Sequence, residues 1–149
     1  MKKNIIGRTD KADFPKLGFE NIDVKIDTGA YTSSIHCNHI REEDDKLCCT
    51  FLDPQHPDYN GQEMIFNSYD ITAVKSSNGE IQSRYMVQAD IKIFAKTYKI
   101  SLTLSSRDDM RFPVLIGRKF LTKKFIVDTE LTDVSYNQKL HEYKNPLQE

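Results

Sequence analysis

From Ile81 to Ile93 the odd positions carry Ile81, Tyr85, Val87, Ala89, Ile91 and Ile93, a stripe broken only at Ser83. After "AKT" at 95–97 the stripe resumes on even positions, at Tyr98, Ile100, Leu102 and Leu104. A period of two is that of a strand with one buried face, and a change of parity across a short interval is how two antiparallel strands of a hairpin read. This feature constrains the fold most, because no helix would gather those residues on one side. The same alternation places Ile22, Val24 and Ile26 in a strand within "NIDVKID". "SSNG", 76–79, marks a tight turn, since Asn-Gly readily takes positive φ. "FPVLIG", 112–117, is a continuous apolar run ended by Gly117 and reads as a strand buried on both faces. "RKFLTKK" supplies one or two helical turns, and "FIVD", 125–128, a further short strand. Residues 41–63, rich in Asp, Glu, Pro and His, read as a loop or insertion, and the polar stretch from about Ser135 as a loosely held tail. The expectation is a small all-β barrel or sandwich with at most one short helix, a domain over 1–134 and a C-terminal tail over 135–149.

With 149 residues the chain suits one compact core. Lys plus Arg total 21 against 22 Asp plus Glu, a formal charge of −1, so the basic excess that accompanies non-specific nucleic-acid binding is absent. No apolar run approaches the roughly 20 residues of a membrane span. "MKKNIIGRTD" has lysines with no long apolar stretch behind them, unlike a secretory signal. A cytoplasmic location is expected, with no membrane partner. Cys37, Cys48 and Cys49 fit it as reduced thiols, because adjacent cysteines are poorly placed for a disulfide with each other.

The chemistry centres on "VKIDTGAYTSSIH", 24–36. Gly29 lets the backbone turn sharply, Thr28 can donate its hydroxyl to a nearby backbone group, and Asp27 is left at the end of a strand. One such aspartate is an ordinary ionised acid. Two of them about 3 Å apart cannot both ionise cheaply, so they share a proton; one then activates water while the other protonates or hydrogen-bonds a peptide carbonyl. The competing account is a turn aspartate that caps backbone amides. A triplet alone occurs often by chance, so context has to decide.

That context lies some ninety residues on, where "PVLIGRKFL" supplies two bulky apolar residues followed by Gly117 and Arg118. Together, "IDTGA" and "VLIGR" resemble the retropepsin-like aspartic peptidases. More narrowly, "IGRTDKADFPKLGFENIDVKIDTGAYTSSIHC", "VKSSNGEIQSRYMV", "LTLSSRDDMRFPVLIGRKFL" and "FIVD" resemble a bacterial family named for ATP-dependent zinc proteases, whose pattern is nonetheless retropepsin-like. The similarity runs from about Ile5 to Asp128. It implies a small closed retropepsin-like barrel and an aspartic endopeptidase. It also implies a functional link to an ATP-grasp ligase that adds glutamates to protein tails, and hence cleavage of glutamate-rich peptides.

The resemblance makes Asp27 the catalytic carboxylate, with Thr28 and Gly29 bracing it and Leu115, Ile116 and Gly117 supporting the loop from within. The hairpin around "VKSSNGEIQSRY" becomes a flap over the substrate. Only one Asp-Thr-Gly exists here, and "VDTE" at 127–130 lacks the glycine, so the second carboxylate must come from another copy in a symmetric homodimer. Where familiar retropepsins often carry a second aspartate after D-T-G-A, this chain has Tyr31, which leaves Arg118 without its expected partner. Ala30, Lys75, Ser76, Ser77, Arg84, Arg107 and Arg118 are the candidates for meeting substrate, the arginines because their fork suits carboxylates. Arg107 and Arg118 could equally pair with Asp108, Asp109 or Asp128.

His36, Cys37, His39, Cys48 and Cys49 raise the question of zinc, but neither H-E-x-x-H nor C-x-x-C occurs, and a loop of reduced cysteines and exposed histidines is the simpler account. No phosphate-cradling G-x-x-x-x-G-K-[ST] loop occurs, so ATP use would belong to a partner, and neither cofactor nor metal is expected. The alternatives to a peptidase are a module on the same barrel that binds acidic peptides without cleaving them, and a zinc-dependent hydrolase.

Overall fold

The structure, a computed structural model, describes residues 2–76, 78–106 and 111–144. The strands are, in chain order, β1 (Asn4–Ile6), β2 (Thr9–Phe14), β3 (Phe19–Ile26), β4 (Ser33–Glu43), β5 (Lys46–Phe51), β6 (Glu63–Phe66), β7 (Asp70–Lys75), β8 (Ile81–Ile93), β9 (Lys96–Ser105), β10 (Val114–Ile116) and β11 (Phe125–Val127). Two helices, α1 (Arg118–Leu121) and α2 (Val134–Lys144), and a 3-10 turn at Pro15–Leu17 complete them. The protein is mostly β, as the stripes require.

Nine strands form one sheet in the order β10, β3, β2, β8, β9, β4, β5, β6, with β7 added to β8. β10 pairs parallel with β3 and antiparallel with β4, so the strands from β3 round to β4 form a ring that β10 completes. Its slenderest link is between β2 and β8, a single residue pair, Asp13 with Lys92. β1 and β11 make a separate parallel pair. Phe14, Ile22, Val24, Ile35, Ile91, Leu102 and Ile116 are wholly or almost wholly buried inside the ring. Each such side chain contributes about 1.5–3 kcal/mol. Among the described residues no helix is long and apolar enough to cross a membrane.

The long hairpin forms as its stripe foretells, with one difference. Ile93 pairs with Lys96, so the turn is Phe94-Ala95, one residue earlier than "AKT", and both residues take positive φ, 54° and 59°. Asn-Gly would adopt this geometry with less strain. Tertiary contacts hold it here: the Phe94 ring lies 5.7 Å from that of Phe125, and its N–H donates to Ser135 Oγ at 2.8 Å.

Two expectations are corrected. Residues 41–63 are not one loop. β4 runs on to Glu43, β5 follows after a turn at Asp44-Asp45, and Leu47 through Leu52 are buried. The charges that dominate the composition sit on the exposed part of that hairpin, residues 41–46, and concealed the strand behind them. Secondly, the expected single short helix is joined by α2, in the stretch read as a polar tail. It has no apolar stripe to announce it. Polar contacts dock it instead: the buried Asp10 carboxylate accepts the Ser135 and Tyr136 N–H groups, at 2.9 and 3.1 Å, and Lys139 Nζ reaches Asp13 at 3.1 Å and Asn21 at 2.7 Å. Asp10 thereby satisfies amide donors that the first turn of a helix leaves open. Desolvation by burial nevertheless raises its pKa above the ordinary carboxylate value, against the hydrogen bonds that lower it.

Candidate active site

β3 delivers Asp27 to the surface at the point where its apolar alternation ends. Asp27 N–H donates to Ile116 O at 2.8 Å, extending the β3–β10 ladder by one bond. β10 lies between β3, which leads into the loop of residues 27–32, and β4, which leads out of it. The loop is then tied to the start of α1: Arg118 N–H donates to Ala30 O at 2.8 Å and Lys119 N–H to Tyr31 O at 2.9 Å. Gly117 N–H donates to Ser33 Oγ at 3.0 Å. The approach is so close that a Cβ on Gly117 would lie 2.6 Å from the carbonyl oxygens of both Tyr31 and Thr32. Only glycine fits, because the clash would be with backbone rather than a movable side chain.

Within the loop, Ala30 N–H donates to Asp27 O at 3.2 Å and Gly29 N–H to Asp27 Oδ1 at 3.1 Å. Asp27 is half-buried while Thr28 and Gly29 are exposed. The carboxylate is thus held by one of its oxygens at the mouth of the loop. Thr28 acts through its carbonyl, which accepts a hydrogen bond from the Arg118 guanidinium at 2.8 Å. The same guanidinium lies over the Tyr31 ring, 5.9 Å from its centre. Arg118 therefore has partners despite Tyr31: a carbonyl and an aromatic face replace the missing carboxylate.

β7 and β8 form the hairpin expected as a flap, with Lys75 opposite Ile81 and a turn in which Ser76 N–H donates to Glu80 O at 2.7 Å. Ser76 Oγ bonds within the turn, to Asn78 and to Glu80 O. Gly79 takes φ of 88°. The register separates two residues that the sequence reading grouped. Arg84 pairs with Thr72 and Ile81 with Lys75, so Lys75 and Arg84 fall on opposite faces of the hairpin. Arg84 also donates to Gln82 at 3.3 Å. Ser77 and Arg107, with Asp108 and Asp109, lie outside the described residues.

The histidines and cysteines do not gather into one cluster, although Cys37 lies beside Cys49. His36 and Cys37 are consecutive on β4 and project to opposite faces, as do Cys48 and Cys49 on β5. Contrary to the loop expected for them, all three cysteines and His36 are buried, whereas His39 is exposed. A hydrogen bond to Cys49, together with burial, pushes the Cys37 thiol far above the range where a thiolate forms. Among the described residues, no group of three or more His, Cys, Asp or Glu side chains is placed to hold a metal ion.

An Asp-Thr-Gly loop braced by an apolar-apolar-Gly-Arg segment is thus present as a three-dimensional unit, and comparison with known proteins agrees. Residues 5–138 match the family model described as RimB-like, retropepsin-like aspartic endopeptidase RimB. The chain belongs to this RimB-like family. Its similar curated proteins carry another name. "Probable alpha-L-glutamate ligase" of Shewanella halifaxensis is 36% identical over 132 residues, 85% of this chain and 28% of that protein. Its namesake in Desulfotalea psychrophila is 33% identical over 137 residues, 88% of this chain and 29% of that protein. The chain therefore spans under a third of the length of these relatives. A solved structure of a Legionella pneumophila protein of unknown function superposes with a TM-score of 0.70 at 25% identity, covering 90% of this chain and 99% of that one.

Sequence reasoning missed Ser33, which accepts the Gly117 N–H through its hydroxyl and the Thr103 hydroxyl through its carbonyl at 3.1 Å. The available signal was its parity, a polar residue two positions from Ile35 and four from Cys37 on a buried strand. It also missed the contact of Tyr69 with Tyr85, rings 5.9 Å apart, at the base of the β7–β8 hairpin. Nothing local marks that pair.

Proposed function

We propose that this RimB-like chain is an aspartic endopeptidase that works as a homodimer, each copy contributing Asp27. The observation that carries the reading is the bracing of the Asp27 loop by β10 and α1 through Ile116, Gly117, Arg118 and Lys119, backed by family membership. Such bracing fixes a carboxylate at a surface point where a second copy can approach it about a twofold axis. A proton shared between the two would leave one carboxylate to take a proton from water as it attacks the peptide carbonyl. The other would protonate the departing amine or hydrogen-bond the developing oxyanion. Fixed backbone around Asp27 limits the reorganisation that this step requires.

The substrates we propose are glutamate-rich peptides. Support comes from the ligase names of the relatives, in which a region like this chain occupies a minor part: an activity that trims acidic tails would oppose one that builds them. Purified protein should then cleave a glutamate-extended peptide, and Asp27→Asn should lower kcat at least about a thousandfold while leaving the fold intact by circular dichroism. Light scattering should give twice the chain mass under the assay conditions. A strictly monomeric active protein, or an Asp27→Asn variant that cleaves normally, would overturn the proposal.

A further inference from the structure

Two segments of this chain carry lysines and no acidic residue: "FAKTYKISLTLSS", 94–106, and "GRKFLTKKFIV", 117–127. In a chain with 22 Asp and Glu against 21 Lys and Arg, such stretches are where positive charge can collect. The fold brings the two together. Tyr98 of β9 packs edge-on against Phe120 of α1, ring centres 5.6 Å apart, and against Phe125 of β11 at 6.2 Å. Lysines from both segments stand around these rings. Lys96 Nζ lies 5.1 Å and Lys124 Nζ 6.0 Å from the centre of the Tyr98 ring; Lys124 Nζ is also 4.9 Å from that of Phe120 and donates to Phe120 O at 3.0 Å. Aromatic faces and a carbonyl position these cations without neutralising them.

Beside them is a cavity of about 90 Å³. It exists because β4 begins at Ser33, opposite Leu102: Lys99, Ile100 and Ser101 have β8 on one side, and among the described residues no strand flanks them on the other. Lys99, Lys119 and Lys124 line the cavity together with Ser33 and Ser101, and among the described residues no carboxylate does. The ion pair that the cluster makes among those residues is Lys99 with Asp90, long at 3.9 Å and with the Lys99 side chain 87% exposed. Such a pair does little to neutralise the patch. The cluster also adjoins the candidate active site. Lys119 N–H donates to Tyr31 O and Ser33 Oγ accepts the Gly117 N–H, so two residues of the cavity wall belong to the bracing of the Asp27 loop.

We propose that this lysine cluster is a docking site for the acidic part of a substrate chain: one glutamate carboxylate enters the cavity among Lys99, Lys119 and Lys124, and neighbouring carboxylates meet the exposed Lys96 and Lys123. The inference rests on the peptidase reading and adds to it the place where acidic residues are recognised. An acidic chain fits better than a small anion, because Lys96 and Lys123 lie outside the cavity and are met by a ligand with several linked charges. It fits better than a nucleic acid, because Tyr98 is half-buried against Phe120 and Phe125 and offers no open face for a base to stack on.

The test uses the full chain carrying Asp27→Asn and fluorescence anisotropy with a labelled oligoglutamate peptide, its oligoglutamine counterpart and labelled oligothymidylate. Lys99→Gln with Lys119→Gln, both at exposed positions, should weaken oligoglutamate binding about fivefold, the sum of two solvent-exposed pairs. Adding Lys124→Gln, which keeps a donor for Phe120 O, should bring the loss to about tenfold. Lys46→Gln with Lys75→Gln removes two exposed charges elsewhere and should change binding by less than about twofold. An unchanged circular-dichroism melt for the first pair ties its loss to the missing charges rather than to unfolding. Loss by the Lys46 and Lys75 pair equal to that by the Lys99 and Lys119 pair overturns the proposal, as does oligoglutamine binding as tight as oligoglutamate. Tighter binding of oligothymidylate than of oligoglutamate overturns the choice of occupant, and absence of oligoglutamate binding overturns the site. Failure of the peptidase reading looks different: binding that depends on Lys99 and Lys119 persists, yet protein with Asp27 intact cleaves no glutamate-extended peptide.

Discussion

The Asp27 loop and the β7–β8 hairpin are both surface turns between strands, yet they are built in opposite ways. The loop is gripped from outside itself, by its own Asp27 N–H donating to Ile116 O, by the Arg118 and Lys119 N–H groups donating to Ala30 and Tyr31, and by a backbone approach that admits no side chain at Gly117. The outer part of the hairpin is joined by the β7–β8 ladder and by bonds within its turn, and a Cβ on Gly79 would meet nothing within 4 Å. On the proposed function Asp27 needs a fixed base, whereas the hairpin, as a cover, would have to open for substrate. The difference teaches that rigidity here comes from contacts distant in sequence rather than from the turn residues.

The same substitution in the two regions should therefore give unlike results. Gly117→Ala has the largest expected effect, a destabilisation of about 3 kcal/mol or more, because the clash is with two carbonyl groups. Calorimetry should show the melting temperature falling by roughly 10 °C. Asp10→Asn comes next. It replaces one of the two accepting oxygens with a donor and should cost about 2 kcal/mol, with faster amide exchange in α2.

The pH dependence of that variant sharpens the point. Asp10 has a folded pKa above 3.8, so its contribution to stability is fully present below 3.8 and lost as pH rises through the folded value. The stability of the wild type relative to Asp10→Asn should accordingly decline as pH rises through that window in urea titrations. A difference that grew with pH would reverse the assigned cause. Arg118→Ala, which removes the bond to Thr28 O, should cost about 1.5 kcal/mol and lower kcat more than it raises KM. Smallest is Gly79→Ala, at about 1 kcal/mol, arising from positive φ alone. A Gly79 effect equal to that of Gly117 would break the contrast between the two regions.

Much of this was legible beforehand. The stripes at Ile22–Ile26, Ile81–Ile93 and Tyr98–Leu104 reported strands directly, because burial of one face imposes a period of two. Asp27-Thr28-Gly29 and Leu115–Arg118 each stood out as motifs, and the structure brings them together. The β4–β5 hairpin was hidden because charges on its exposed end dominate the local composition. α2 was hidden because its docking uses Asp10, Asp13 and Asn21, more than a hundred residues away.

By itself the sequence determined the β character of the chain, the place of the acidic loop and the chemistry that loop can support, since all three depend on neighbours in the chain. Tertiary structure alone decided that Arg118 would settle on Thr28 and Tyr31, that Phe94 and Ala95 would bear positive φ, and that Lys75 and Arg84 would face opposite ways. Those outcomes depend on strand register and on contacts between residues far apart in the chain, where the balance of packing, strain and hydrogen bonding is set only once the ring of strands has formed.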